Sequence, residues 1–326
     1  MRLLPQPILR TGWLISLLLV SPTGVAKKLY KYQDEHGWHY TDQPPKTDRQ
    51  VEVRQLKVAG KQRVWLEKSG DKTSPDFFIL NQYPGPVEVE VDWGEHENVI
   101  ASPELPRRFV VEPGESATLF KIRGVEHAQS WRFALQYRHV IGRPLADYVG
   151  DTLYLPPIAA NSRFQISQGF DGEFSHNDAQ NRYAVDIMMP VDTPIYAARG
   201  GVVLDVDNDY FESGTQQAYA SKANSIRILH DDGSMAVYAH LAVESALVYA
   251  GLTVAAGQRI GFSGNTGLTT GPHLHFAVQV NRGMELVSVP FRFADQDNRA
   301  LDPRPGLWLT GHATKTPNEG MGNNQH

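Results

Sequence analysis

Val87, Val89 and Val91 alternate with Glu88, Glu90 and Asp92, so every second side chain in this stretch is apolar. A period of two belongs to an extended strand with one face buried. The pattern therefore predicts a half-buried strand, with the acids on the solvent side. Further strands are predicted at 108–111, 117–122 and 131–140, separated by the turn-forming Pro113-Gly114 and by Gly142. Residues 225–230 read as another strand, closed by the hairpin turn Asp231-Asp232-Gly233. Helical periodicity is scarce throughout.

The expected class is mainly β, in several pieces. Two aromatic-rich strands (Tyr30, Tyr32, Trp38, Tyr40) around an acidic turn at Gly37 predict a small hairpin module over 27–60. It resembles a short domain of unknown function found after signal peptides in Gram-negative bacterial proteins. The strands of 61–157 predict a β-sandwich of immunoglobulin-like type, ending in Pro156-Pro157 as a linker. Residues 158–301 carry many glycine-punctuated strands and predict an antiparallel β domain. Residues 302–326 are polar, aperiodic and expected to form a flexible tail.

The N-terminus predicts an export signal over 1–26. Arg2 and Arg10 precede the apolar run Trp13-Leu14-Ile15-Ser16-Leu17-Leu18-Leu19-Val20, and Gly24-Val25-Ala26 supplies small residues for cleavage. That run is shorter than the roughly 20 apolar residues a membrane helix needs, and no later segment could span a bilayer. Gram-negative periplasm is the expected location. The 326 residues contain no cysteine, which excludes a lipoprotein anchor, disulfides and cysteine-ligated zinc. A formal charge of -5 gives no electrostatic case for nucleic acid.

The chemistry is concentrated in Gly271-Pro272-His273-Leu274-His275-Phe276. On a strand, His273 and His275 point to one face while Leu274 and Phe276 turn to the other. Among 12 histidines a lone His-x-His is easily met by chance, so the pair needs company. A cupin reading fails on ligand count, because no acid follows until Glu285 and only His312 and His326 come later. Asp186 lies inside the apolar run Ala184-Val185-Asp186-Ile187-Met188-Met189, where a carboxylate is costly unless paired or holding a metal. His230 belongs to the hairpin turn and is left out of the site. His36, His39, His96, His127 and His139 read as structural or exposed.

Residues 166–289 resemble the lysostaphin-type (LytM-like) zinc metallopeptidases that cut peptidoglycan cross-bridges. Three blocks carry the resemblance: Phe174-Ser175-His176 with Tyr183-Ala184-Val185-Asp186 and the following Met189-Pro190; Tyr238-Ala239-His240-Leu241; and Gly264-Asn265-Thr266-Gly267 with the His273-x-His275 segment. The resemblance implies one Zn²⁺ held by His176, Asp186 and His275, with His240 and His273 as an unligated acid/base pair. Three protein ligands leave a fourth position for water, and histidine titrates near working pH. It further implies a zinc endopeptidase acting on peptidoglycan stem peptides. The alternatives are a non-catalytic regulator of cell-wall amidases and a zinc peptidase acting on secreted proteins. Some relatives place an oxyanion-stabilising tyrosine just before the first histidine, where this chain has Phe170 and Phe174. The candidates to substitute are Tyr183 and Tyr238, with Tyr238 favoured because alternation would put it on a strand face with His240; zinc with His240 alone is the remaining alternative. Ala277 stands where relatives often carry glutamate. The modules ahead of residue 158 could regulate the active site by covering it.

Overall fold

Strands dominate the described residues, 27–35, 37–41, 43–56, 62–126 and 129–312. Among them the only helix is the single 3-10 turn Gln217–Tyr219. The computed structural model divides into two compact units, residues 1–60 and 61–326. The expected export signal and the end of the tail, 313–326, lie outside the described residues.

In the first unit the aromatic hairpin gains a third strand. Lys27–Asp34 is flanked by Gly37–Thr41 on one side and Glu52–Leu56 on the other, both antiparallel. Glu52–Leu56 breaks strict alternation, with polar Glu52, Arg54 and Gln55, and has no aromatic marker, so pairing rather than pattern makes it a strand. Tyr32 stacks on His39 with centroids 4.9 Å apart.

The second unit begins with two antiparallel sheets that share one core. One holds Val64–Asp71, Ser74–Asn81, Phe120–Gly124, Val99–Ser102 and the short Gly114–Glu115; the other holds Arg132–Ile141, Val87–Glu97 and Arg107–Val111. Val87, Val89 and Val91 are fully buried in that core with Phe77, Ile79, Phe120 and Ile122. Glu88 departs from the expected solvent exposure. It is 4% exposed, and its Oε2 accepts hydrogen bonds from Asn281 Nδ2 at 2.8 Å and Met284 N at 2.7 Å. The outer face of this strand is covered by the following domain, so a polar residue there meets protein donors instead of water. Arg63 to Asp205 at 2.6 Å adds a second polar tie across the same junction.

The following domain is built on a nine-stranded sheet. Its order is Thr253–Val254, Gly201–Asp207, Asn224–Leu229, Met235–Leu241, His273–Asn281, Val185–Met188, Arg163–Gln168 and Trp308–Thr310, with Leu286–Ser288 also on His273–Asn281. Every pairing in it is antiparallel. Leu274, Phe276, Val278 and Val280 enter one core with Ile187, Ile226, Ile228 and Tyr238. Phe276 meets the rings of Tyr154, Tyr238 and Phe291 at 6.1, 5.2 and 5.1 Å.

Two boundary expectations are corrected. Pro156-Pro157 is no free linker: both prolines are buried, and Tyr154 before them is 2% exposed within the second core. Leu153–Tyr154 pairs in parallel with Arg292–Ala294, so the domain starts before residue 158. The tail expected from 302 is structured up to residue 312, because Trp308–Thr310 is the sheet's edge strand and Leu309 is fully buried. Three residues are too few to display a period, which is why the segment reads as aperiodic.

Candidate metal centre

Asp186 and His275 are direct partners across the ladder between Val185–Met188 and His273–Asn281. Directly opposed side chains on one face stand about 5 Å apart at Cβ. Register alone therefore brings a carboxylate to an imidazole. His275 Nδ1 lies 3.0 Å from Asp186 Oδ1. His176 arrives from the turn after Gly169, where its backbone N–H donates to Gly172 O at 2.9 Å. Its Nε2 lies 3.1 Å from the same Asp186 Oδ1. Ligand atoms of the three residues all fall within 4.8 Å of one another, and all three residues are buried.

The remaining ring atoms decide what those three atoms can do. His176 Nδ1 donates to Gly169 O at 2.7 Å, since a carbonyl only accepts. His275 Nε2 donates to Asn181 Oδ1 at 3.1 Å. In the neutral rings, His176 Nε2 and His275 Nδ1 therefore carry lone pairs, both aimed at an anionic oxygen. Three electron-rich atoms at about 3 Å repel unless a cation lies among them. With ligand bonds of about 2.0–2.1 Å, a tetrahedral ion spaces its ligands by roughly 3.3 Å. This donor set fits a divalent ion that favours imidazole and carboxylate.

Support continues outward. Gln168 Nε2 donates to Asp186 Oδ2 at 3.0 Å and to Ser175 Oγ at 2.8 Å, fixing the carboxylate plane. Burial opposes a charge on Asp186, yet positive charge at this junction, here protons shared with His176 and His275, holds its carboxyl well below the usual range. Burial also disfavours charge on His176, but the facing Asp186 outweighs it and raises the imidazole.

His240 and His273 flank this cluster. Their rings are 4.6 Å apart, and His240 stands 5.8 Å from His275. Nδ1 of His240 donates to Thr266 O at 2.6 Å, and Nδ1 of His273 to Gly271 O at 2.7 Å. Each keeps Nε2 for other work, and that of His273 lies 3.6 Å from Asp186 Oδ1. Burial, aided by His273 and His275, pushes His240 down to about 3. Burial likewise lowers His273. A cavity of about 440 Å³ lined by Asp171, Glu173, His176, Asn177 and Arg182 borders the cluster.

Of the six residues singled out from sequence, five converge and Tyr238 does not. Tyr238 is fully buried, and its hydroxyl accepts from Ala198 N at 2.7 Å. It pairs with Phe276, on the core side of the sheet. Strict alternation would send His240 to that side as well. Instead His240 has φ of +61° and is the extra residue between the pairs Asn224–Leu241 and Ser225–Ala239. This bulge turns its ring to the face of His275, and it is why the shared face expected for Tyr238 and His240 fails. Sequence reading also missed Gln168, Asn181 and Thr266. Only Thr266 lay within a quoted motif, and none carries a charge that would mark it. His230 stays out of the cluster as expected, with its Nδ1 on Gly200 O at 2.8 Å.

The cluster coincides with a recognised domain. Residues 180–286 match the family model described as Peptidase family M23, a metallopeptidase family, and residues 16–62 match the domain of unknown function DUF4124. The chain therefore carries an M23 peptidase domain; His176, four residues ahead of the matched stretch, joins it through the fold.

Among relatives, the peptidoglycan DD-endopeptidase ShyA of Vibrio cholerae is 37% identical over 37% of this chain and 26% of its own length. Lysostaphin of Staphylococcus staphylolyticus is 32% identical over 44% of this chain and 27% of its own. This chain thus spans about a quarter of the length of these relatives. The crystallised catalytic domain of lysostaphin from Staphylococcus simulans is 28% identical, with 44% of this chain and 89% of that domain covered at a TM-score of 0.26.

Proposed function

We propose that this protein is an exported zinc metalloendopeptidase that hydrolyses the peptide cross-links of peptidoglycan. The observation that carries the proposal is the convergence of His176 Nε2, Asp186 Oδ1 and His275 Nδ1, each ring nitrogen freed by a hydrogen bond on its far side. The M23 domain and the peptidoglycan endopeptidase names among its relatives support the substrate class. Bound zinc would polarise the scissile carbonyl and acidify a water molecule.

The chain's own residues supply the proton handling. With Nδ1 committed to Thr266 O, His240 is neutral at working pH and presents Nε2 as the base. His273, held through Nδ1 by Gly271 O, presents its own Nε2 to the same space, and the proton that the histidine pair takes from water is returned to the leaving amine. The apolar run and small residues of 1–26 support export to a Gram-negative periplasm, with the segment removed as a signal. The 27–60 module, the sandwich and the peptidase domain are read as successive parts of one secreted chain.

Zinc-loaded protein incubated with cross-linked murein releases uncross-linked muropeptides, read by mass spectrometry. Absence of release at every pH from about 6 to 8 overturns the proposal. A regulator of amidases does not need a convergent ligand set, and substoichiometric zinc in the pure protein would favour that role instead.

A further inference from the structure

We infer that Asn181, set by Asp178, is a positioning residue that dictates which nitrogen of His275 faces the metal. The inference rests on the proposed zinc site and extends it outward. Asn181 Nδ2 donates to both carboxylate oxygens of Asp178, at 3.0 Å to Oδ1 and 2.8 Å to Oδ2. A flipped amide would set its oxygen against that carboxylate and lose both bonds. The amide therefore has one orientation, with Oδ1 toward His275 Nε2 at 3.1 Å.

An oxygen there accepts, so His275 keeps its proton on Nε2 and its lone pair on Nδ1, the atom 3.0 Å from Asp186 Oδ1. Had the amide nitrogen faced the ring, the proton would sit on Nδ1 and block ligation. Partners on the far side of a ligating histidine commonly fix its tautomer and raise its basicity. Here the partner is a neutral amide backed by a carboxylate.

The relay is anchored at every joint. Asp178 Oδ1 accepts from the backbone N–H of Gln180 at 2.8 Å and of Asn181 at 3.0 Å, which makes it an Asx turn as well as a partner. The loop is pinned to the sheet by Gln279 Nε2 donating to Gln180 O at 2.8 Å and by Ser288 N donating to Ala179 O at 2.7 Å. Asn181 sits five residues before Asp186 and reaches a histidine 94 residues away. No local motif advertises the connection.

The test uses the full chain and zinc alone, with zinc affinity measured by chelator competition and unfolding followed with and without zinc. Asn181→Ala weakens zinc binding by about 10- to 100-fold, while the metal-free protein unfolds at the wild-type temperature. The exchanged pair Asn181→Asp with Asp178→Asn, which again sets a donor at 178 against an acceptor at 181 and still presents an oxygen to Nε2, restores affinity to within a few-fold of wild type. Wild-type affinity in Asn181→Ala overturns the inference, as does an exchanged chain that folds like wild type yet binds zinc as weakly as the alanine variant. Equal loss of stability in the metal-free and zinc-loaded forms assigns Asn181 a purely structural role and also overturns it. A wild-type chain that takes up no zinc removes the proposed function together with this inference.

Discussion

His240 and His273 stand 4.6 Å apart, ring to ring, only because His240 is bulged out of its strand's alternation at φ +61°. A left-handed conformation costs a non-glycine residue roughly 1–2 kcal/mol. The cost is met locally by Thr266, whose carbonyl holds the His240 ring and whose hydroxyl donates to Leu241 O at 2.8 Å. Strain of this kind is concentrated where geometry matters more than stability.

The two histidine classes separate by metal content. His240→Ala is expected to abolish turnover while retaining a full equivalent of zinc. Asp186→Ala and His275→Ala are expected to lose the metal itself. Atomic absorption on the dialysed proteins checks the difference, and zinc loss in His240→Ala contradicts the role given to that residue.

Chelation should act on stability as well as activity. Metal that binds only the folded state adds about 4 kcal/mol at a thousandfold excess over its dissociation constant. Removing zinc is expected to lower the unfolding temperature, and adding it back to restore both temperature and turnover. Calorimetry before and after chelation reads both effects.

Tyr238→Phe is expected to leave kcat unchanged, because the hydroxyl serves Ala198 N inside the core. Its loss strands a buried N–H and should cost about 1–3 kcal/mol in urea unfolding. A hundredfold fall in kcat would return Tyr238 to the catalytic machinery.

Glu88→Ala is expected to leave Asn281 Nδ2 and Met284 N without their partner at the sandwich junction, costing about 1–3 kcal/mol for each. Asn281 lies six residues along the strand from His275, roughly 20 Å away at strand rise. Turnover per folded molecule should therefore hold while the denaturation midpoint falls.

His230 makes acid stability testable. Burial pushes its imidazole from 6.5 down to about 4. The unfolded chain then binds more protons between those values, so its stabilising share is complete above pH 6.5 and drains as pH falls toward 4. The drain amounts to on the order of 3 kcal/mol. Urea midpoints across this range should slope less steeply in His230→Asn, and parallel slopes would contradict the assignment.

Much of this molecule was legible along the chain, and the reason is local. Alternation at Val87, Val89 and Val91, the hairpin turn after His230 and the acid inside 184–189 each follow from neighbours a few residues apart. Three of the site positions follow the same logic, since strand alternation puts His273 and His275 on one face and only a compensated site tolerates Asp186, whereas His176 and His240 were named through the family resemblance. Tertiary structure decided the rest. Burial of Glu88 depends on a domain nearly 200 residues downstream, and the strand Trp308–Thr310 exists only as an edge to Arg163–Gln168. The bulge that parts His240 from Tyr238, and the amide of Asn181 against His275, arise from register between distant segments. Periodicity records which face a residue prefers. It carries no information about which distant backbone will pair beside it, and at this site that pairing selects the atoms that meet.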